Sequence, residues 1–291
     1  MENKHSFNRT IIGSIGKKGN EAGEFTCPCS ICYDEWNDHL IVGDCSHRIQ
    51  LFDSKTLKYH SQFGSEGSQY GQFINPTKLC IQPFTHNLLI CDLLNHRIQV
   101  FDTGDASHYS FLYQIKFHST NNYPRSICCD EKGHILVCDT GNDTIHEFNE
   151  SGQFLHVLGS HGFSTDQFHF PNDIYYNKKH KQLLVADTFN KRVSVWSHDS
   201  SSKPQPLSHI QIDNYCYSVC IDPLRNHQIF IGTVCNVFVY DSRNHKEPIQ
   251  TLGTYGSELG EFNGVTGLCV NEQDGTLLIV DQFNHRIQLF K

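Results

Sequence analysis

Thirteen cysteines and nineteen histidines are the residues of this chain that could do chemistry first. Cys27, Cys29 and Cys32 stand in a Cys-x-Cys-x-x-Cys run that hints at zinc. A zinc site needs four ligands, usually in paired short spacings. Three histidines converging on one point would suit a zinc lyase, and several clustered carboxylates a calcium-dependent hydrolase. Gly13-Ser-Ile-Gly16-Lys17-Lys18 looks like a phosphate loop but lacks the Gly-x-x-x-x-Gly-Lys-Ser/Thr order that cradles phosphates. Whether any of these groups act together depends on the elements that carry them.

The chain has 291 residues and a formal net charge of −8, with 19 % charged residues and 20 phenylalanines. That content can build a large core and argues against disorder. The acidic balance argues against DNA as a partner. Residues 1–8 are polar and lack the apolar stretch of a signal peptide, and no run is long enough for a spanning helix. An odd number of thiols at this density does not resemble a secreted disulfide scaffold. A reduced, cytoplasmic protein with no membrane partner is expected.

One segment recurs along the chain. Asp92-Leu-Leu-Asn-His-Arg-Ile-Gln-Val-Phe101 returns as Asp187 to Trp196 and as Asp281 to Phe290, and one residue shorter as Asp44 to Phe52. Degenerate copies run from Asp139 to Phe148 and from Thr233 to Tyr240. The slots Arg48, Arg97, Thr144, Arg192, Asn236 and Arg286 lie 44 to 50 residues apart. A second motif precedes each good copy: Gly64, Gly67, Gly71, Gln72, Phe73 and Pro76 have counterparts from Gly16 to Pro28, Gly159 to Pro171 and Gly253 to Phe262. Each repeat also holds four short β-type runs, in the second about 58–63, 77–81, 87–91 and 97–102. Asp and Asn of the repeated segment are expected to bond their own backbone in a tight turn.

Six repeats of four strands predict an all-β, six-bladed β-propeller. After the N-terminal segment 1–8, one domain covers 9–291, with repeats near 9–53, 54–102, 103–149, 150–197, 198–241 and 242–291. The last repeat stops after its third strand, and residues 9–15 match the slot of 58–63. The N-terminal strand should therefore close the ring, with antiparallel strands in every blade.

Asn95-His96-Arg97-Ile98 and Asn284-His285-Arg286-Ile287, beside Gly-Gln-Phe-x-x-Pro, resemble the NHL repeat. The resemblance runs from about Arg9 to Lys291 and is weakest in the third and fifth repeats, which lack the glycine loop. It implies similarity to the C-terminal NHL domain of tripartite-motif (TRIM-NHL) E3 ubiquitin ligases, whose loop-bearing face binds protein or RNA. Related propellers include a peptidyl-amide lyase and lactonase-like hydrolases, so a channel-sited enzyme is an alternative. A family ligase carries a RING, B-box and coiled coil before its propeller. Here eight residues precede the closing strand, so ubiquitin transfer by this polypeptide alone is not expected. Selection of targets for ubiquitination machinery acting in trans stays open.

The repeat reassigns the candidate groups. Cys32, Cys80, Cys128, Cys220 and Cys269 share one slot, with Tyr175 in the sixth, and read as small buried hydrophobes. The starts of the first strands supply one carboxylate, Asp173, and no histidine. No catalytic residue, metal or cofactor is expected, nor any convergent cage of histidines or carboxylates. Thr77, Lys78, Arg125, Asn172 and Tyr217 are expected at the channel mouth as a partner-binding set. His47, His96, Lys191 and His285 should surround them on the same face. A protein partner is the first reading. RNA, in post-transcriptional regulation, is the second: Lys17, Lys18, Lys78, Arg125, Lys191 and Arg192 with Tyr70, Tyr123 and Tyr217 could bind it, opposed by the net charge and by acids in the same loops.

Overall fold

The computed structural model describes residues 9–106, 108–117, 122–199, 203–222, 224 and 228–291. Its strands form six antiparallel four-stranded sheets. The first strands of five sheets, Pro28–Asp34, Pro76–Ile81, Pro124–Cys129, Pro171–Asn177 and Ser218–Asp222, each touch the next, and Val265–Val270 of the sixth returns to Pro28–Asp34. The sheets are thus blades around a closed ring, a six-bladed β-propeller with these strands innermost. We number the blades 1 to 6 in that order.

The second strand of each blade explains the packing. His39–Asp44, Leu88–Asp92 and Leu277–Asp281 are buried along their whole length because blades cover both faces. Successive side chains point to opposite faces of a strand. Leu40 and Val42 therefore pack with Leu278 and Val280 of blade 6, while Ile41 joins Leu88 and Ile90 of blade 2. Six apolar clusters of this kind fill the six seams. Each fully buried aliphatic side chain contributes about 2 kcal/mol.

Ring closure follows the expected route. Ile11–Ile15 pairs antiparallel with Arg286–Phe290 as the outer strand of blade 6. Thr10 and Lys291 exchange two main-chain hydrogen bonds, at 2.8 and 2.9 Å. The buried Arg9 guanidinium lies over the Phe230 ring and donates to Asp222 and to the Gly275 carbonyl. Tyr59–Phe63 pairs in the same way with Arg48–Asp53, so the run that opens the second repeat is the outer strand of blade 1.

Candidate recognition face

The two repeated motifs are bonded to each other. Asp92 accepts from Asn95 Nδ2, from Arg97 Nε at 2.8 Å and from the amide of Ile74 at 2.8 Å. Arg97 Nη2 then donates to the carbonyls of Gln69 and Gln72, and Asn95 Nδ2 to that of Gly67. Blade 4 repeats the clamp with Asp187, Asn190 and Arg192, and blade 6 with Asp281, Asn284 and Arg286. Asp44 accepts from the Ser46 amide within its own turn, as expected, and the side chains of blades 2, 4 and 6 also reach across to hold the glycine loop. Phe73 is fully buried beneath that loop, and a Cβ on Gly64 would meet its ring at 2.7 Å. Gly64 also has φ +92°, where side chains are disfavoured.

The clamp sets the outer ring of predicted residues. His96, Lys191 and His285 cap short 3₁₀ turns in the left-handed conformation, with φ 54°, 51° and 56°, and His47 has φ 64°. His47 Nδ1 accepts from the amide of Asn75, and His285 Nδ1 from that of Cys27, both at 3.1 Å. His96 Nδ1 lies 2.5 Å from the Asn122 carbonyl. Each histidine thus braces one blade to the loop entering the next. Burial and the nearby Lys18 push the His285 imidazole below its ordinary pKa.

The inner set is linked from blade to blade. Thr77 Oγ1 donates to the Pro124 carbonyl at 3.3 Å, Arg125 Nε to Asn172 Oδ1, and Asn172 Nδ2 to the Tyr217 carbonyl at 2.5 Å. Asn172 is itself buried and spends its amide on these bonds. Lys78 turns into the channel, where Nζ meets Asp173 Oδ1 at 2.8 Å. Burial alone would lower the Lys78 pKa, but Asp173 raises it by more. Asp173 also accepts from Ser126 Oγ at 2.6 Å and from the Val219 amide at 3.0 Å. Arg125 and Tyr217 remain half-buried at the mouth.

Beside them runs a surface that sequence reasoning missed. Phe163 is 72 % exposed, Phe189 45 % and Tyr215 43 %. From Phe163 the rings continue through His169 to Phe189, at centroid distances of 5.6 and 5.0 Å. Phe189 stacks on Phe170 at 4.8 Å and touches Tyr215 at 5.7 Å. Two cations sit on this strip: Arg125 lies 5.5 Å from the Phe170 centroid and Lys191 Nζ 5.4 Å from that of Tyr215. The repeat held a signal for it. The residue before the motif asparagine is Leu94, Phe189 or Phe283, each exposed. Exposed aromatics with arginine are the composition of interface anchors.

The cysteine slot behaves as small-residue packing. All thirteen thiols are free. Burial pushes Cys32, Cys128 and Cys220 well above the ordinary thiol range and Cys269 up to about 12. The six inner strands carry no histidine. Histidine and carboxylates do converge elsewhere, against expectation: Asp130, Glu147 and His198 place ligand atoms within 4.8 Å of one another at the seam of blades 3 and 4. They meet only in the fold, 17 and 51 residues apart, so no short motif marks them.

Among curated proteins, the chain is similar to the protein brain tumor of Drosophila melanogaster, a TRIM-NHL protein. Identity is 25 % over 146 residues, covering 50 % of this chain and 14 % of that protein. The repeats are similar to NHL repeats. No family model matches the chain. The propeller fold, with this distant similarity, suggests a binding scaffold. Among the described residues, no helix is long and apolar enough to cross a membrane.

Proposed function

We propose that this chain is a non-catalytic recognition module that binds a protein through the loop-bearing face of blades 3 to 5. The observation that carries the reading is the exposed strip from Phe163 to Tyr215, joined to the channel mouth by Arg125. Aromatic side chains give large contact area at low entropic cost, and the cations above them add direction.

Charge favours protein over RNA. Three of the six bases that could hold phosphates are engaged with carboxylates: Lys17 with Glu24, Lys78 with Asp173 and Arg192 with Asp187. RNA affinity scales with cations available to displace counterions. By analogy with TRIM-NHL proteins, the bound protein would be a target presented to ubiquitination machinery acting in trans. The free thiols support the cytoplasm as the compartment.

Affinity capture with the wild-type chain and a Phe189→Ala/Tyr215→Ala variant, each with and without ribonuclease, tests this reading. Proteins retained after ribonuclease and lost in the variant are expected. Capture that collapses with ribonuclease would move the assignment to RNA.

A further inference from the structure

The clamp arginines of the loop-bearing face are neutralised within the fold. Arg48, Arg97, Arg192 and Arg286 each pair with the aspartate of their own blade, and Lys78 pairs with Asp173. Arg125 and Lys191 differ. Among the described residues, no carboxylate lies within ion-pair distance of either. Arg125 touches the neutral Asn172 side chain and the Phe170 ring, and Lys191 Nζ the ring of Tyr215.

The two cations bracket one platform. Phe170 stacks on Phe189, which meets Tyr215 edge-on, so the rings run from Arg125 at the channel mouth to the exposed Lys191. Arg125 is half-buried, and burial pushes its guanidinium below the ordinary pKa. A cation withdrawn from water without an anion is costly. Its planar fork matches a carboxylate in two parallel hydrogen bonds, and such a partner would restore the balance.

We propose that the strip takes an extended, acidic protein segment in which an apolar side chain is flanked by carboxylates, a partner class that rests on the protein-recognition reading above. In an extended segment, side chains i, i+2 and i+4 share a face. One carboxylate can then meet Arg125, the apolar group can lie on Phe189, and a second carboxylate can meet Lys191. Phe163, exposed at the far side of His169, widens the apolar seat. Two cations with exposed acids beside them suit spaced carboxylates better than a continuous phosphate chain, whose affinity grows with each phosphate neutralised. Asp166 and Asp213 are those acids, three residues after Phe163 and two before Tyr215.

The test is selection of a phage-displayed library of random linear peptides on the full chain. Enriched sequences should place Asp or Glu two residues from an aromatic or aliphatic side chain. A fluorescent copy of the enriched peptide should lose more than about tenfold in affinity on Arg125→Gln and about threefold on Lys191→Gln. Lys191 is exposed, so its variant reports the loss even if Arg125→Gln fails to fold. Amides in place of the peptide's carboxylates should weaken wild-type binding and cancel the effect of Lys191→Gln. A neutral or basic consensus that still needs Phe189 and Tyr215 would overturn the acidic class and leave the recognition module standing. If no enriched peptide depends on Phe189 and Tyr215, both fall, and binding of a labelled oligouridylate would then give the face to RNA.

Discussion

The Arg97 guanidinium donates at 3.0 Å to the main-chain carbonyl of Gln72, 25 residues earlier in the chain. Arg192 meets Gln167 and Arg286 meets Glu261 across the same interval, at 2.7 and 3.0 Å. Each arginine is also paired with a buried aspartate. Arg97→Ala would leave the buried Asp92 without its cation and release the glycine loop, at a cost of about 3 kcal/mol. The exposed pair Arg243–Asp241 is the control: Arg243→Ala should cost under about 0.5 kcal/mol. Denaturant midpoints at unchanged slope check both.

Closure by the N-terminal strand makes a second prediction. Removing residues 1–15 strips blade 6 of its outer strand and opens the edge of Arg286–Phe290. An unpaired edge recruits other chains. The shortened chain should melt lower and self-associate with concentration, read by light scattering. Arg9→Met alone should also destabilise, since it leaves Asp222 without this cation.

The fold was legible because two motifs recur in one register, and the clamp explains why. Arg97 and Gln72 must keep their offset for the bond to form, so backbone geometry is written as spacing. The strand closing blade 6 could be read the same way, from the match of residues 9–15 to the outer-strand slot. The site was less legible. Tyr217 and Arg125 stood out as residue types, but whether Lys78 faces outward or into the channel depends on Asp173, 95 residues away. Phe163 and Phe189 are of the same type as the buried phenylalanines, and only their exposure sets them apart. Glu147 and His198 sit on different blades, and no spacing links them.

The channel ion pair predicts an alkaline effect. Asp173 raises the Lys78 pKa above its ordinary 10.5, against the effect of burial. A raised lysine contributes stability that is fully present below the unfolded value and is lost as pH rises through the folded one. The stability gap between wild type and Lys78→Met should be flat below about pH 10 and narrow above it. At neutral pH the single variant should lose about 3 kcal/mol, and Lys78→Met/Asp173→Asn should recover most of that. A gap that widens above pH 10 would contradict the pairing.

Thiol reactivity should separate the cysteines by environment. The neighbouring Cys29 lowers the Cys45 pKa, whereas burial raises those of Cys91 and Cys138. Thiolate, not thiol, attacks disulfide reagents. In the native protein Cys45 should give the fastest phase, abolished in Cys45→Ser. All thirteen thiols should react in denaturant without prior reduction.

The most direct test of recognition through the blade 3 to 5 loops is site-specific photo-crosslinking in cells. A photoreactive phenylalanine analogue would replace Phe163 on that face or Phe84, an exposed ring in the turn between the first two strands of blade 2, on the opposite face. Discrete protein adducts from position 163, and none from position 84, are the predicted result. Adducts from position 84 alone would contradict the account.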